Sequence, residues 1–364
     1  MYKKNRLIIP VFIFLNLFIS LQLSAQKNLY AGIEIGRNTI KVSVLEVNNI
    51  KKAEYSILYF WTENVKLAKH IAAYGEITHD DISRVGIVTY EQLGKIRSKF
   101  KIPEENIYLV AAPGVASARN IGVLRNKITS LTSKDLDLIS EKEEVKILVK
   151  GSIPPVNYAD ALLLDIGAKS TKGGYMNEIE NHKLEFSPIE LDLGTMTLTA
   201  AVEKTVINQN EVHNMLIYQQ KAFDYIPILR EKIKGILDTN TLLLKKEKIY
   251  LSGGALWALV TLYYNDNIKD NYVPLNMEDI MNYDAILKNN FTRFIKLAKT
   301  NKEAAKVLNT YSQRHLISAN NILVACMESL PDLKTKKLYF VKQAQTAWLI
   351  SYIADRSLKV NIDF

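Results

Sequence analysis

Gly32-Ile33-Glu34-Ile35-Gly36-Arg37-Asn38-Thr39 and Leu163-Leu164-Asp165-Ile166-Gly167-Ala168-Lys169-Ser170-Thr171 follow one design: a β-rich run, an acid, a glycine and a small polar turn. The acid stands at the end of a strand, where it can hold a metal ion or a water. Glycine lets backbone N–H groups come close to an anion, and Asn, Ser or Thr supplies further hydrogen bonds. One copy says little, because hydrophobic strands ending in Gly and Ser are common. Two copies, each opening a new structural unit, read as the two sides of a phosphate clamp.

Outward from the first copy, Tyr30 to Ile35 and Thr39 to Val47 form a hairpin with a polar tip. Thr78 to Phe100 is helical, with Ile82, Val85, Val88, Leu93, Ile96 and Phe100 on one face and a stop at Lys101-Ile102-Pro103. A buried strand, Ile107 to Ala112, closes at Pro113-Gly114. The charged segment Ser133 to Lys150 is helical in part, and Ser152-Ile153-Pro154-Pro155 marks a domain boundary. Beyond it the order repeats in outline. Strands are expected at Ala161 to Asp165, Thr171 to Met176 and Leu184 to Leu193, then one long helix from about Asn210 to Leu237. The strand Lys248 to Leu251 runs into Ser252-Gly253-Gly254-Ala255. The C-terminal third is mostly helical, clearest at Ala304 to Leu308 and His315 to Leu330, with a late strand Lys337 to Phe340 and a last helix Gln343 to Asp355.

The 364 residues, 48% of them hydrophobic, suffice for two domains with a sizeable core. Lys3, Lys4 and Arg6 precede an apolar run from Leu7 to Leu23, and Leu23-Ser24-Ala25 offers a small residue before Gln26. That is the layout of a secretory signal peptide cleaved near Ala25, so the expected location is secreted or periplasmic. The rival reading is an uncleaved anchor, but Pro10, Asn16 and Gln22 interrupt a run already short of the roughly 20 residues a spanning helix needs. No stable membrane insertion is expected after cleavage. Removing three basic residues takes the net charge from +9 to +6, mildly favouring anionic ligands. Cys326, the single cysteine, allows no intramolecular disulfide and sits in an apolar helical run as a structural thiol. The five histidines, His70, His79, His182, His213 and His315, lack metal-ligand spacing, so a zinc site is not expected. Aromatic residues form no stacking platform, which argues against nucleic acid as a partner.

Taken in order, these stretches resemble the exopolyphosphatase and guanosine pentaphosphate phosphohydrolase (Ppx/GppA) family of the actin, Hsp70 and sugar-kinase superfamily, over nearly all of the chain after the leader. Glu34-Ile35-Gly36-Arg37-Asn38-Thr39 is similar to the family's D-I-G-S-N-S, and Val110 to Asn120 to its V-A-T-S-A-L-R-E-A-x-N. Ile139-Ser140-Glu141-Lys142-Glu143-Glu144-Val145 resembles I-S-G-x-E-E-A, and Asp165 to Lys172 resembles D-I-G-G-G-S-T-E. Leu193-Gly194-Thr195 and Gly253-Gly254-Ala255 are similar to L-G-A and G-G-T.

The resemblance implies an α/β fold of two actin-like (ribonuclease H-like) domains, residues 26–155 and 156–364, facing each other across an interdomain cleft. It implies hydrolysis of phosphoanhydride bonds in polyphosphate or a nucleotide polyphosphate, with water as nucleophile, a carboxylate base and magnesium on the phosphates. Glu143 and Glu144 are then the catalytic candidates, Glu34 and Asp165 the metal ligands. Gly36, Arg37, Asn38, Thr39, Gly167, Lys169, Ser170, Thr171, Lys172, Gly253 and Gly254 are the phosphate binders. Departures cluster where the chemistry would sit. The family's Arg-Glu pair falls on Ala116 and Ser117, two phosphate-turn glycines become Ala168 and Lys169, and the acid after Ser-Thr becomes Lys172. The competing class is therefore a catalytically inactive polyanion-binding or sensor protein of the same fold, needing no metal. A nucleotide-driven scaffold is a third, and a homodimer stays open. Each residue also has a plain structural alternative: Glu34 and Asp165 bonded to nearby groups, Lys169 and Lys172 solvated, Glu143 and Glu144 part of a charged helix start, Gly253-Gly254 a tight strand-to-helix turn.

Overall fold

The hairpin around Gly36 is the start of the first sheet. The computed structural model describes residues 28–49, 54–179, 183–208, 211, 214–265 and 270–360; the leader, residues 1–25, lies outside them. Strands β1 (Leu29–Ile35), β2 (Thr39–Asn49) and β3 (Glu54–Asn64) make an antiparallel meander. Helices α1 (Ala68–Tyr74) and α2 (His79–Phe100) follow, then β4 (Ile107–Ala111), the short α3 (Pro113–Ala116), α4 (Ile121–Thr132) and β5 (Leu136–Leu138). The sheet order is β3-β2-β1-β4-β5, with β4 parallel to both β1 and β5.

Helix α2 starts where the sequence says it should. The Thr78 hydroxyl accepts from the Asp81 N–H, and Asp80 and Asp81 sit in the first turn, where the helix dipole favours negative charge. Its buried stripe, Ile82, Val85, Leu93 and Ile96, joins Ile33, Ile35, Val42 and Leu109 of the sheet in one core. The expectation missed β3, α1 and α4. Strand β3 centres on an unbroken apolar and aromatic run, Ile57 to Trp61, and periodicity alone does not classify such a run.

The chain divides into two compact units between Leu138 and Ile139, earlier than the Ser152-Pro155 break expected from sequence. Helix α5 (Glu141–Ser152) packs within the second unit, against strands β7 (Thr171–Ile179) and β8 (Lys183–Leu191) and the last helix, numbered α14 below. Pro154 and Pro155 only end α5 and lead through a short 3₁₀ turn into β6 (Ala161–Ile166).

After the β6-β7-β8 meander come α6 (Thr195–Glu203), α7 (Met215–Asp224), α8 (Ile226–Thr239), β9 (Lys248–Ser252), α9 (Gly254–Tyr263) and β10 (Tyr272–Leu275). They are followed by α10 (Met277–Asn289), α11 (Thr292–Ala298), α12 (Lys302–Thr310), α13 (Gln313–Glu328), β11 (Lys337–Val341) and α14 (Ala344–Val360). The expected single helix from Asn210 to Leu237 is two. Asn214 caps α7 at the Leu216 and Ile217 N–H groups, and the break at Tyr225 precedes Pro227, whose missing N–H suits the first turn of a new helix.

The second sheet runs β10-β11-β9-β6-β7-β8, with β6 antiparallel to β7 and parallel to β9. The set β8-β7-β6-β9-β11 therefore repeats β3-β2-β1-β4-β5, direction for direction. Cys326 lies on the buried face of α13, as expected, and burial pushes its thiol up to about 12. It borders an apolar internal space of about 30 Å³ lined by Leu162, Leu164, Ile233 and Leu330.

Candidate functional site

The first turn is a closed hairpin tip. The Gly36 N–H donates to the Thr39 carbonyl at 2.9 Å, which places Glu34 and Lys41 directly opposite each other in the register. Lys41 Nζ lies 3.0 Å from Glu34 Oε2 and 3.2 Å from Oε1. Glu34 is only 4% exposed, and the ammonium beside it offsets part of the cost of burying its charge. The carbonyls of Arg37 and Asn38 accept from the backbone of Val65, Lys66 and Ala68, tying the tip to the start of α1. The half-buried Arg37 side chain lies across Gly114 at the start of α3: a Cβ there would meet its Nε at 2.4 Å. Ala116 and Ser117, where the resembling family carries Arg-Glu, leave that short helix without either charge. Asn120 reads as part of the motif but serves the fold. Its amide accepts from the Ile77 N–H at 2.9 Å and donates to the Ile77 carbonyl at 2.7 Å.

The second turn has the same backbone. Gly167 N–H donates to the Ser170 carbonyl at 3.0 Å, and Asp165 stands opposite Lys172. The wiring differs. Ser252, next to Asp165 on β9, donates its hydroxyl to Asp165 Oδ1 at 2.6 Å. Lys172 reaches instead to Glu144 Oε2 on α5, 2.7 Å away. Burial pulls the Lys172 ammonium down, but the Glu144 carboxylate, its hydrogen bond, Asp165 and Glu141 outweigh it and hold the group above its ordinary value. Thr171 is buried and donates to the Leu193 carbonyl at 2.9 Å, so its hydroxyl serves the fold. Lys169 is exposed at the tip, beside the half-buried Ser170.

Helix α6 fixes this turn from behind. The N–H groups of Thr195 and Met196 donate to the carbonyls of Gly167 and Ala168, at 2.9 and 2.8 Å, and the Thr197 hydroxyl donates to that of Lys169 at 2.7 Å. The two N–H groups are among the donors a helix start leaves open, and here the turn's own carbonyls take them. Gly194 makes the approach feasible: a Cβ on it would stand 2.5 Å from Gly167 O and 2.6 Å from Ser170 N. Gly253 holds φ +96°, where a side chain is strained, and passes over the end of β6. Gly254 is covered by Tyr311, whose hydroxyl would lie 1.9 Å from an added Cβ; burial and the nearby Asp165 raise that phenol.

Of the catalytic candidates, Glu144 is engaged by Lys172, while Glu143 is half-buried in the first turn of α5. The Glu143 backbone N–H donates to the capping Ser140 hydroxyl. Among the described residues no group of three or more His, Cys, Asp or Glu side chains is arranged to hold a metal ion. Asp165 fits a magnesium ion better than Glu34, since such ions take one or two carboxylates plus substrate phosphates and Glu34 faces an ammonium. Lys41, Ser252, Gly194, Thr197 and Tyr311 were not foreseen as parts of these turns. The lysines had a signal: each stands seven residues after its acid, the spacing that a two-residue tip converts into a directly opposed pair.

This paired architecture matches solved structures over about nine-tenths of the chain. The Aquifex aeolicus member of the Ppx/GppA family superposes with a TM-score of 0.66 at 16% identity, covering 90% of this chain and 98% of that one. The chain has the Ppx/GppA fold. An exopolyphosphatase from Cytophaga hutchinsonii gives a TM-score of 0.57 at 15% identity, covering 89% and 98%. A protein described as exopolyphosphatase-like gives 0.58 at 14%, covering 90% and 97%. No family model matches the sequence, and no curated protein matches it. The actin-like α/β architecture implied by the sequence motifs is therefore the one found, at identities that speak for the Ppx/GppA fold alone.

Proposed function

We propose that this protein binds a phosphate-rich polyanion, polyphosphate or a nucleotide polyphosphate, and that it hydrolyses phosphoanhydride bonds slowly. The reading is supported by the Ppx/GppA fold and by the repeated acid-glycine turns. The observation that carries the slowness is the 2.7 Å pair between Lys172 and Glu144, which places an ammonium on one of the two candidate bases. Glu143 remains to orient the attacking water. Lys169 and Ser170 at the second turn, and Arg37 and Asn38 at the first, each offer a cation and hydrogen-bond donors to phosphate oxygens. Asp165 would hold magnesium, which when bound supplies positive charge to the phosphoryl oxygens.

The second reading, a binder or sensor without turnover, is favoured by the Lys41–Glu34 pair, because it matches the metal-ligand position of the first turn with a lysine. In that case fixed ammonium and guanidinium groups stand in for the metal. Export of the mature chain would place the ligand outside the cytoplasm under either reading.

Phosphate release from polyphosphate, ATP and pyrophosphate with magnesium separates the two. Slow release that falls about 100-fold in Glu143→Gln supports hydrolysis. Calorimetric binding of polyphosphate in a metal chelator, with no release, supports the binder. Neither release nor binding would overturn both.

A further inference from the structure

The four outer edges of the two sheets are protected unequally. Strand β5 is three residues long, β8 contains Pro188, and β10 is short and contains Pro274. These are the devices by which natural sheets avoid pairing with other chains. Strand β3, the remaining edge, runs from Glu54 to Asn64 with no proline, lysine or arginine, and its outer side pairs with no strand among the described residues. Leu58, Tyr59 and Phe60 are exposed along it. The one irregularity near its middle is at Leu58, where the register steps from Val44↔Tyr59 to Leu45↔Ile57. Tyr59 to Asn64 stay in regular register with β2.

We propose that this edge is a self-association surface: β3 pairs antiparallel with β3 of a second copy about a two-fold axis at Trp61. Only an extended backbone satisfies the open N–H and C=O groups of a strand edge, and a two-fold contact requires a self-complementary one. About Trp61 the register sets Phe60 opposite Thr62 and Tyr59 opposite Glu63 of the second copy, with no like charges opposed. The α2 side of the strand makes the charges complementary. Lys99 Nζ lies 4.0 Å from the centroid of the Tyr59 ring, and Glu63, paired with Lys95 at 3.3 Å, lies on the same side. Lys99 of each copy thus faces Glu63 of the other, two such pairs in one interface. An edge pair of this length belongs to the weak class of interfaces, so association is expected in the micromolar range.

Sedimentation equilibrium of the purified protein tests this. The expected result is a concentration-dependent dimer, with a dissociation constant raised about tenfold or more by Thr62→Lys at the exposed edge, because each substitution enters twice. Thermal melting of that variant checks its fold. Glu63→Lys alone and Lys99→Glu alone should each weaken the dimer, and an equimolar mixture of the two should restore it, since both cross-copy pairs are then of opposite sign. A monomer at every concentration up to about 0.5 mM, on the affinity scale of weak interfaces, overturns the proposal. So does a dimer indifferent to Thr62→Lys, or a charge-swapped mixture that associates no better than its components.

Discussion

The turns at Gly36 and Gly167 share one backbone and differ in what holds their acids. In both, a glycine N–H closes onto the carbonyl three residues on, and a lysine stands opposite the acid. The difference starts on the neighbouring parallel strand. Val110 lies beside Glu34, and Ser252 lies beside Asp165. Valine offers no donor, and Glu34 keeps its lysine. Serine does offer one, and Lys172 turns to Glu144 on α5. The lysine opposite the acid thus pairs with it in the first turn and with a carboxylate on another element in the second. A repeat in backbone geometry is therefore no guarantee of a repeat in chemistry.

The strongest test of the second turn is Gly194→Ala. The added Cβ must displace backbone atoms of Gly167 and Ser170, so a loss of about 3 kcal/mol is expected from the urea midpoint. Gly36→Ala on the first turn, whose Cβ would meet the Thr39 carbonyl at 3.0 Å and Glu34 Oε1 at an ordinary 3.7 Å, should lose clearly less. Equal losses would mean that α6 does not hold the turn.

The two lysines should then differ from each other. Lys41→Met takes the ammonium from a buried carboxylate and should destabilise by about 3 kcal/mol. Lys172→Met takes it from the more exposed Glu144 and should lose about 1 kcal/mol. The Lys172 contribution also has a pH signature. A folded-state value raised above the ordinary 10.5 gives stability that is complete below 10.5 and lost as pH rises through the raised value. The gap between wild type and Lys172→Met should therefore close in alkali. A gap that widens there would contradict the pairing with Glu144.

The smallest effect is expected from Ser252→Ala, about 1 kcal/mol for one hydrogen bond to a carboxylate. If Asp165 then recruits Lys172 from Glu144, the loss shrinks, and Lys172→Met made on top of Ser252→Ala costs more than it does alone. Strict additivity of the two substitutions would show that the acid and the lysine are wired independently.

How legible the molecule was in its sequence differs element by element. The hairpins at Gly36 and Gly167, helix α2, strands β4, β6, β9 and β11, and the buried Cys326 could be read, because glycine turns, capping residues and apolar periodicity act within a few residues. Strand β3 could not, since an apolar aromatic run fits either state until it has a neighbour. The helix break at Tyr225 was masked by periodicity continuing on both sides of it, although Pro227 was in view.

For the candidate site the sequence determined which residues stand at the two turns, the acids, glycines and tip residues, because that order follows from local backbone geometry. It also held the seven-residue spacing of acid and lysine. Only the tertiary structure decided their partners. Whether an acid is met by lysine or serine depends on which strand lies alongside. Whether Lys172 faces Asp165 or Glu144 depends on where α5 packs, and whether Gly254 is open depends on Tyr311, far along the chain. Hydrogen bonds and ion pairs form over a few ångströms, and residues that came within that range at the second turn lie as far as 87 positions apart, as Asp165 and Ser252 do.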